Sequence, residues 1–229
     1  MGNLKVLEKL WQWIKEMLSA QEIIQLLLTK NEGRSVWYLA ADGGNIETLK
    51  KVWVWAERYL STYEIISNFL LSSDKTGWTA WHLAVWEGNV EVFHTICEWA
   101  EEKLIIEEIK YRVLLRGDSS GKTAWHLVAM KGNMGLLHAI YKWAEKKLTT
   151  DELNNGLLLG TDNFGRTALH MAAENGNIEV LHVICEWAEE KLTTEEINNK
   201  LLLGKDRSRR TAWQLAAEYG NIKVLLAIC

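Results

Sequence analysis

From Val90 to Leu104 the apolar side chains Val90, Phe93, Ile96 with Cys97, Ala100 and Leu104 recur three or four residues apart. Glu98, Glu101 and Glu102 fall on the other side. This period predicts an amphipathic helix with one buried stripe, widened by Trp99. A shorter helix precedes it, N-capped by Thr79 and running through Ala80-Trp81-His82-Leu83-Ala84, where the alanines allow close packing. Gly88-Asn89 separates the two: glycine can take the positive φ that ends one helix, and asparagine can cap the next. A third helix is signalled by capping boxes at Ser19/Glu22, Ser61/Glu64, Thr149/Glu152 and Thr193/Glu196. The copy at Ile105-Ile106-Glu107-Glu108 lacks the box and is expected to fray. An apolar tail such as Leu201-Leu202-Leu203 and a polar turn, Lys205 to Ser208, follow.

The pattern returns every 44 residues. Thr167 falls on Thr123, Thr79 and Ser35, and forward on Thr211. Gly176-Asn177 falls on Gly132-Asn133, Gly88-Asn89 and Gly44-Asn45, and forward on Gly220-Asn221. A further copy opens at Gly2-Asn3, with a linker two residues shorter. Whole repeats cover 33–76, 77–120, 121–164 and 165–208, with partial ones at 1–32 and 209–229. Such a period predicts stacked units, each burying its apolar face on its neighbours. The expected fold is an all-α helical solenoid, about three helices per repeat, forming a single array over residues 1–229.

Thr79-Ala80-Trp81-His82-Leu83-Ala84, Thr123-Ala124-Trp125-His126-Leu127 and Thr167-Ala168-Leu169-His170-Met171-Ala172-Ala173, each followed by Gly-Asn, resemble the ankyrin repeat. Turns from Asp74 to Gly77, Asp118 to Gly121 and Asp162 to Gly165 match that family's finger turn. The resemblance implies a protein-binding role through the finger turns and the exposed side of the first helix. It also implies that the histidines hydrogen-bond neighbouring turn backbone. Alanine replaces the family's proline, which is preorganising rather than required. Each unit is 11 residues longer than the usual ~33, and the surplus falls in the third helix. That helix is expected on the finger side, in place of β-hairpin fingers. HEAT- or armadillo-type solenoids share a period near 44 but lack the Thr-Ala-Trp-His segment.

A net charge of −4 over 229 residues gives no general attraction to nucleic acid or to an anionic membrane. No apolar run approaches the ~20 residues of a membrane span. The start, MGNLKVLEKLWQW, has no signal-peptide block, and Val6 stands where N-myristoylation needs Ser or Thr. Cys97, Cys185 and Cys229 share one position in the repeat. Successive helix layers lie about 8–10 Å apart, too far for a disulfide. Three reduced, core-facing thiols suit a cytoplasmic protein.

Two histidine ladders, His82/His126/His170 and His94/His138/His182, space their members a full layer apart, so neither can close on one metal ion. Tyr38 and Gln214 replace the first histidine in the outer repeats, which suits hydrogen bonding. The tryptophan ladders Trp37/Trp81/Trp125/Trp213 and Trp55/Trp99/Trp143/Trp187 are expected in the core. No phosphate loop, Ser/His/Asp set or paired carboxylate marks an enzyme, and no cofactor is expected. Lys205, Arg207, Arg209 and Arg210 form a short basic cluster, with Arg209 in place of a turn glycine.

Positions that differ between repeats while their neighbours agree mark the expected ligand surface. They flank the turn glycine (Trp78, Lys122, Phe164, Arg166, Arg210) and end the first helix (Trp86, Glu87, Met130, Lys131, Glu174). The expected function is a scaffold binding another protein, with no small-molecule substrate. The alternative is the recognition arm of a larger effector, toxin or channel chain, or an engineered array. Trp11 and Trp13 at one end, and Leu225, Leu226 and Ile228 at the other, do not resemble polar caps, so weak end-to-end self-association is also expected.

Overall fold

The computed structural model describes residues 2–227; Ile228, Cys229 and the side chain of Leu226 lie outside the described residues. The chain divides into two compact units, residues 1–104 and 105–229. In the first, α1 (Gly2–Met17), α4 (Ile46–Tyr59) and α7 (Val90–Lys103) are the long amphipathic helices. The short first helices of the repeats are α3 (Val36–Asp42) and α6 (Ala80–Trp86). The third helices are α2 (Ala20–Leu28) and α5 (Thr62–Ile65), the latter continuing as a π turn over Ile66–Leu70.

The second unit repeats the order. Its short first helices are α9 (Ala124–Lys131), α12 (Ala168–Asn175) and α15 (Ala212–Glu218). The long helices are α10 (Met134–Lys147), α13 (Ile178–Lys191) and the shorter α16 (Ile222–Ala227). The third helices are α8 (Ile106–Glu108), α11 (Thr150–Leu153) and α14 (Thr194–Glu196), each followed by a π turn. Among the described residues no strand forms; only isolated bridges join Asn31 to Arg34 and Ser73 to Thr79. The all-α reading of the repeat holds. The third helix, except α2, is a single α turn that widens into a π turn. The turn starts at Ser or Thr capping boxes as expected. At Ile105, which has no side-chain acceptor, only the Glu108 carboxylate reaches back, at 3.4 Å.

Aromatic rings fill the first unit. Trp37 is fully buried, with ring centroids of Trp53, Trp99 and Phe69 at 5.2, 5.3 and 5.8 Å. Trp99 stacks on Trp53 at 4.3 Å and Trp55 on Trp11 at 4.1 Å. In the second unit Trp187 stacks on Tyr141 at 3.8 Å, and Trp125 is buried beside both. The tryptophan of each of these long helices thus lies flat on a ring of the preceding repeat, an arrangement worth about 0.5–1.5 kcal/mol beyond the area it buries.

Three expectations need correction. Val90, 40% exposed, is not part of the stripe; Val92 and Phe93 take the inward positions, because one helical turn back from Phe93 falls between residues 89 and 90. Trp213 is 46% exposed, although its counterparts Trp37, Trp81 and Trp125 are buried. Those at 37 and 125 are covered by the tryptophan of the following repeat's long helix, and Trp213 has no such ring among the described residues. Trp11 is buried under Trp55, while Trp13 stays 68% exposed. Cys97 is buried and Cys185 half-buried; burial pushes the free Cys185 thiol up to about 11.

Candidate partner-binding surface

The turns before the short helices share one construction. An aspartate closes each by accepting backbone N–H bonds: Asp74 Oδ1 from Thr76 and Trp78 (2.8 and 3.0 Å), Asp118 Oδ1 from Ser120 and Lys122 (2.8 and 2.9 Å), Asp162 Oδ1 from Phe164 and Arg166 (2.8 and 2.9 Å). The glycine at the tip takes φ near +80°, as at Gly77 (82°) and Gly121 (78°), where a side chain would be strained. Successive turns are joined by single backbone bonds: Lys75 N–H to Glu32 O (3.2 Å) in the first unit, and Asn163 N–H to Ser120 O (2.9 Å) and Arg207 N–H to Phe164 O (2.8 Å) in the second. These bonds do the joining that hairpin fingers would do. The third helix sits beside them, with Asn155 and Leu159 bordering the same cleft as Gly165 and Lys205.

The short helix starts with a capping box in which histidine takes the usual place of glutamate. Thr123 N–H donates to His126 Nδ1 at 3.3 Å, which leaves the proton on Nε2. Nε2–H then donates to the carbonyls of Gly160 and Arg166, both at 3.2 Å, in the next turn. The backbone bonding implied for this histidine is therefore present. Burial pushes the His126 imidazole down to about 4, and burial also lowers His170. Tyr38 reaches the next turn by another route, its hydroxyl donating to Asp74 Oδ2 at 2.7 Å.

The asparagine of Gly-Asn does more than cap. Asn89 Oδ1 accepts from Val92 N–H (3.0 Å), while its Nδ2 donates to Gly44 O (2.7 Å) in the preceding repeat. Asn177 Nδ2 donates to Ala129 and Met130 carbonyls (2.9 and 2.8 Å), and Asn221 Nδ2 to Ala173 and Glu174 carbonyls (2.8 and 2.9 Å). A side chain at Gly132, φ 77°, would put its Cβ 2.7 Å from Asn177 Oδ1. The glycine is needed for this approach as well as for its φ.

The candidate surface residues lie where these parts meet solvent. In the first unit Trp78 and Trp86 are half-buried, edge to face with centroids 5.4 Å apart, and Glu87 is exposed at the end of α6. In the second unit Lys122 Nζ bonds Ser120 Oγ at 2.8 Å, Met130 is half-buried and Lys131 exposed. Phe164 is 52% exposed at a turn tip, with the Arg166 guanidinium 5.2 Å from its ring. Arg166 pairs with the buried Asp162 (2.8 Å) and with Glu174 (3.2 Å). Arg210 repeats this with Asp206 (2.8 Å) and Glu218 (2.9 Å), and the Tyr219 hydroxyl bonds Glu174. Reading positions by their variability misses this scaffold; the signal for it is Asp, Arg four residues on and Glu eight beyond, present in both repeats. Among the described residues no group of three or more His, Cys, Asp or Glu side chains is placed to hold a metal ion.

A family model for ankyrin repeats, in three copies, matches residues 126–229. Residues 126–229 carry ankyrin repeats. The ankyrin helix-pair signature, Thr-Ala-x-His with a later Gly-Asn, extends upstream of the match to Thr79 and Gly88-Asn89, with the same capping and bridging bonds. Ankyrin repeats generally mediate protein–protein interaction and are typically non-enzymatic. No curated protein matches the chain. Among the described residues no helix is long and apolar enough to cross a membrane.

Proposed function

We propose that the chain is a protein-binding scaffold that engages its partner through the outer face of the short helices and the turns before them. The observation that carries this reading is the Trp78–Trp86 pair. Trp81 on the same helix is buried, yet these two rings are left half-exposed, edge to face, with Glu87 beside them. Tryptophan in such a setting is the commonest kind of binding hot spot. In the second unit Phe164 is the exposed ring, flanked by cations and carboxylates held in fixed geometry. Pre-positioned charges of this kind give selectivity and speed to association. A reduced, cytoplasmic setting fits the free thiol of Cys185.

The test is Trp86→Ala, with a partner first captured by cross-linking from the short-helix surface. The variant should weaken binding by about 2 kcal/mol and leave the melting temperature nearly unchanged. A lower melting temperature with intact binding would reassign Trp86 to the core and remove this surface.

A further inference from the structure

The last turn of the second unit differs from all others. It reads Asp206-Arg207-Ser208-Arg209-Arg210, preceded by Lys205. Arg210 is committed to Asp206 and Glu218. Lys205, Arg207 and Arg209 are exposed, and among the described residues no acid pairs with them. Arg209 holds φ 64°, where Gly33, Gly77, Gly121 and Gly165 stand in the other turns. Left-handed backbone is unfavourable for a residue with a Cβ, and among the described residues the Arg209 side chain makes no ion pair to offset it. Strain held by an exposed, unpaired charge points to a role outside the fold. Arg207 lies against the neighbouring turn, its N–H bonded to the carbonyl of Phe164. Between them is a cleft of about 170 Å³ bordered by Phe164, Arg166, Arg207, Ser208, Arg210 and Asp206, whose carboxylate is already taken up by Arg210.

Resting on the protein-binding reading above, we propose that this turn takes an acidic peptide segment of the partner. Its carboxylates meet Lys205, Arg207 and Arg209, and one apolar side chain enters the cleft against Phe164. Guanidinium groups suit carboxylates because two N–H donors can meet two oxygens. The chain as a whole is acidic, at −4, and Glu174 and Glu218 stand behind the turn, so a long polyanion is disfavoured where a short acidic segment fits.

Fluorescence polarisation with the full chain tests this, using a labelled Glu/Asp-rich peptide that contains one Leu. Controls are the same peptide with Lys for each acid, and oligo-dT of equal length. The acidic peptide alone should bind, more weakly as salt rises from about 50 to about 200 mM. R207S/R209G should lose about tenfold or more in affinity, equivalent to one decade in Kd. Because Arg209→Gly restores the usual turn residue, the double variant should melt no lower than the parent, so lost binding is not lost folding. W86A should bind the peptide as the parent does. The proposal is overturned if the acidic peptide does not bind, if R207S/R209G binds it unchanged, or if oligo-dT binds as tightly. A captured partner that depends on Trp86 while the peptide fails would end this inference and leave the scaffold reading standing. Peptide binding together with a partner indifferent to Trp86 would do the reverse.

Discussion

In residues 1–104 the centre of the repeat interface is an indole among rings: Trp37 has Trp53, Trp99 and Phe69 around it, and Trp11 lies under Trp55. In residues 105–229 the same ladder position is Trp125 in one repeat and Leu169 in the next. The second unit's junctions carry polar contacts besides: the His126 bridge, the paired donations of Asn177 and Asn221, and two Asp–Arg–Glu triads. The family match falls on this second unit. The comparison teaches that the recognisable ankyrin signature is carried by hydrogen-bonding residues, while apolar volume can be met by many side chains. In the repeat at 33–76 Tyr38 stands where the histidine would be, and it joins the next turn through a phenol instead.

The largest effect should come from the ring cluster. Trp37→Ala removes a fully buried indole at the centre of the first unit and should destabilise by about 3–5 kcal/mol. Hydrogen exchange, read separately over residues 1–104 and 105–229, should show the loss of protection concentrated in the first set. Equal loss in both would mean that the two units do not hold their cores independently.

Acid should act on the second unit through His126. Its folded pKa, about 4, lies below an unfolded value of about 6.5. Between those values the unfolded chain binds a proton that the folded chain does not, so stability falls as pH falls. The contribution is complete above pH 6.5 and is lost on the way down to about 4, on the order of 3 kcal/mol in all. His126→Asn should flatten this part of a denaturation-versus-pH curve. Tyr38, pushed up by burial and by Asp74, stays neutral throughout, so the repeat at 33–76 has no such slope at the equivalent site.

Asn177→Ala leaves the carbonyls of Ala129 and Met130 without their donor and should lower stability by about 1–3 kcal/mol. A loss below a few tenths in urea titration would mean that water replaces the amide. Arg209→Gly should move stability the other way, by about 1 kcal/mol, by relieving the left-handed φ. A lower melting temperature would show that the arginine side chain supports the turn.

Much of the repeat is legible from residue spacing. The period, the two helix starts at Thr79 and Asn89, and the capping boxes at Ser61 or Thr149 depend on contacts within a few residues, which sequence displays directly. The π turns are not legible, since Ile66–Leu70 and Asn154–Leu158 keep an apolar pattern that an ordinary helix would also satisfy. Contacts set by how a turn meets its helix are the least visible. Arg166 and Glu174 read as variable surface positions, and their pairing over the buried Asp162 emerges only when the short helix folds back on its turn. Trp213 shows the converse limit: an identical local pattern gives a different burial when the covering ring is missing.

The asparagine bonds described above reach back by one repeat and no further. Asn177 and Asn221 therefore meet the same pair of carbonyl acceptors, each in the repeat before. Within the second unit, copying 44 residues from one such turn to the next would regenerate a junction with these bonds intact. The length of such a protein is then an inheritable setting, adjustable by tandem duplication, while the outward-facing turn residues diverge copy by copy. The Arg-rich turn at 206–210, set on a frame shared with its neighbours, has the form such divergence would leave.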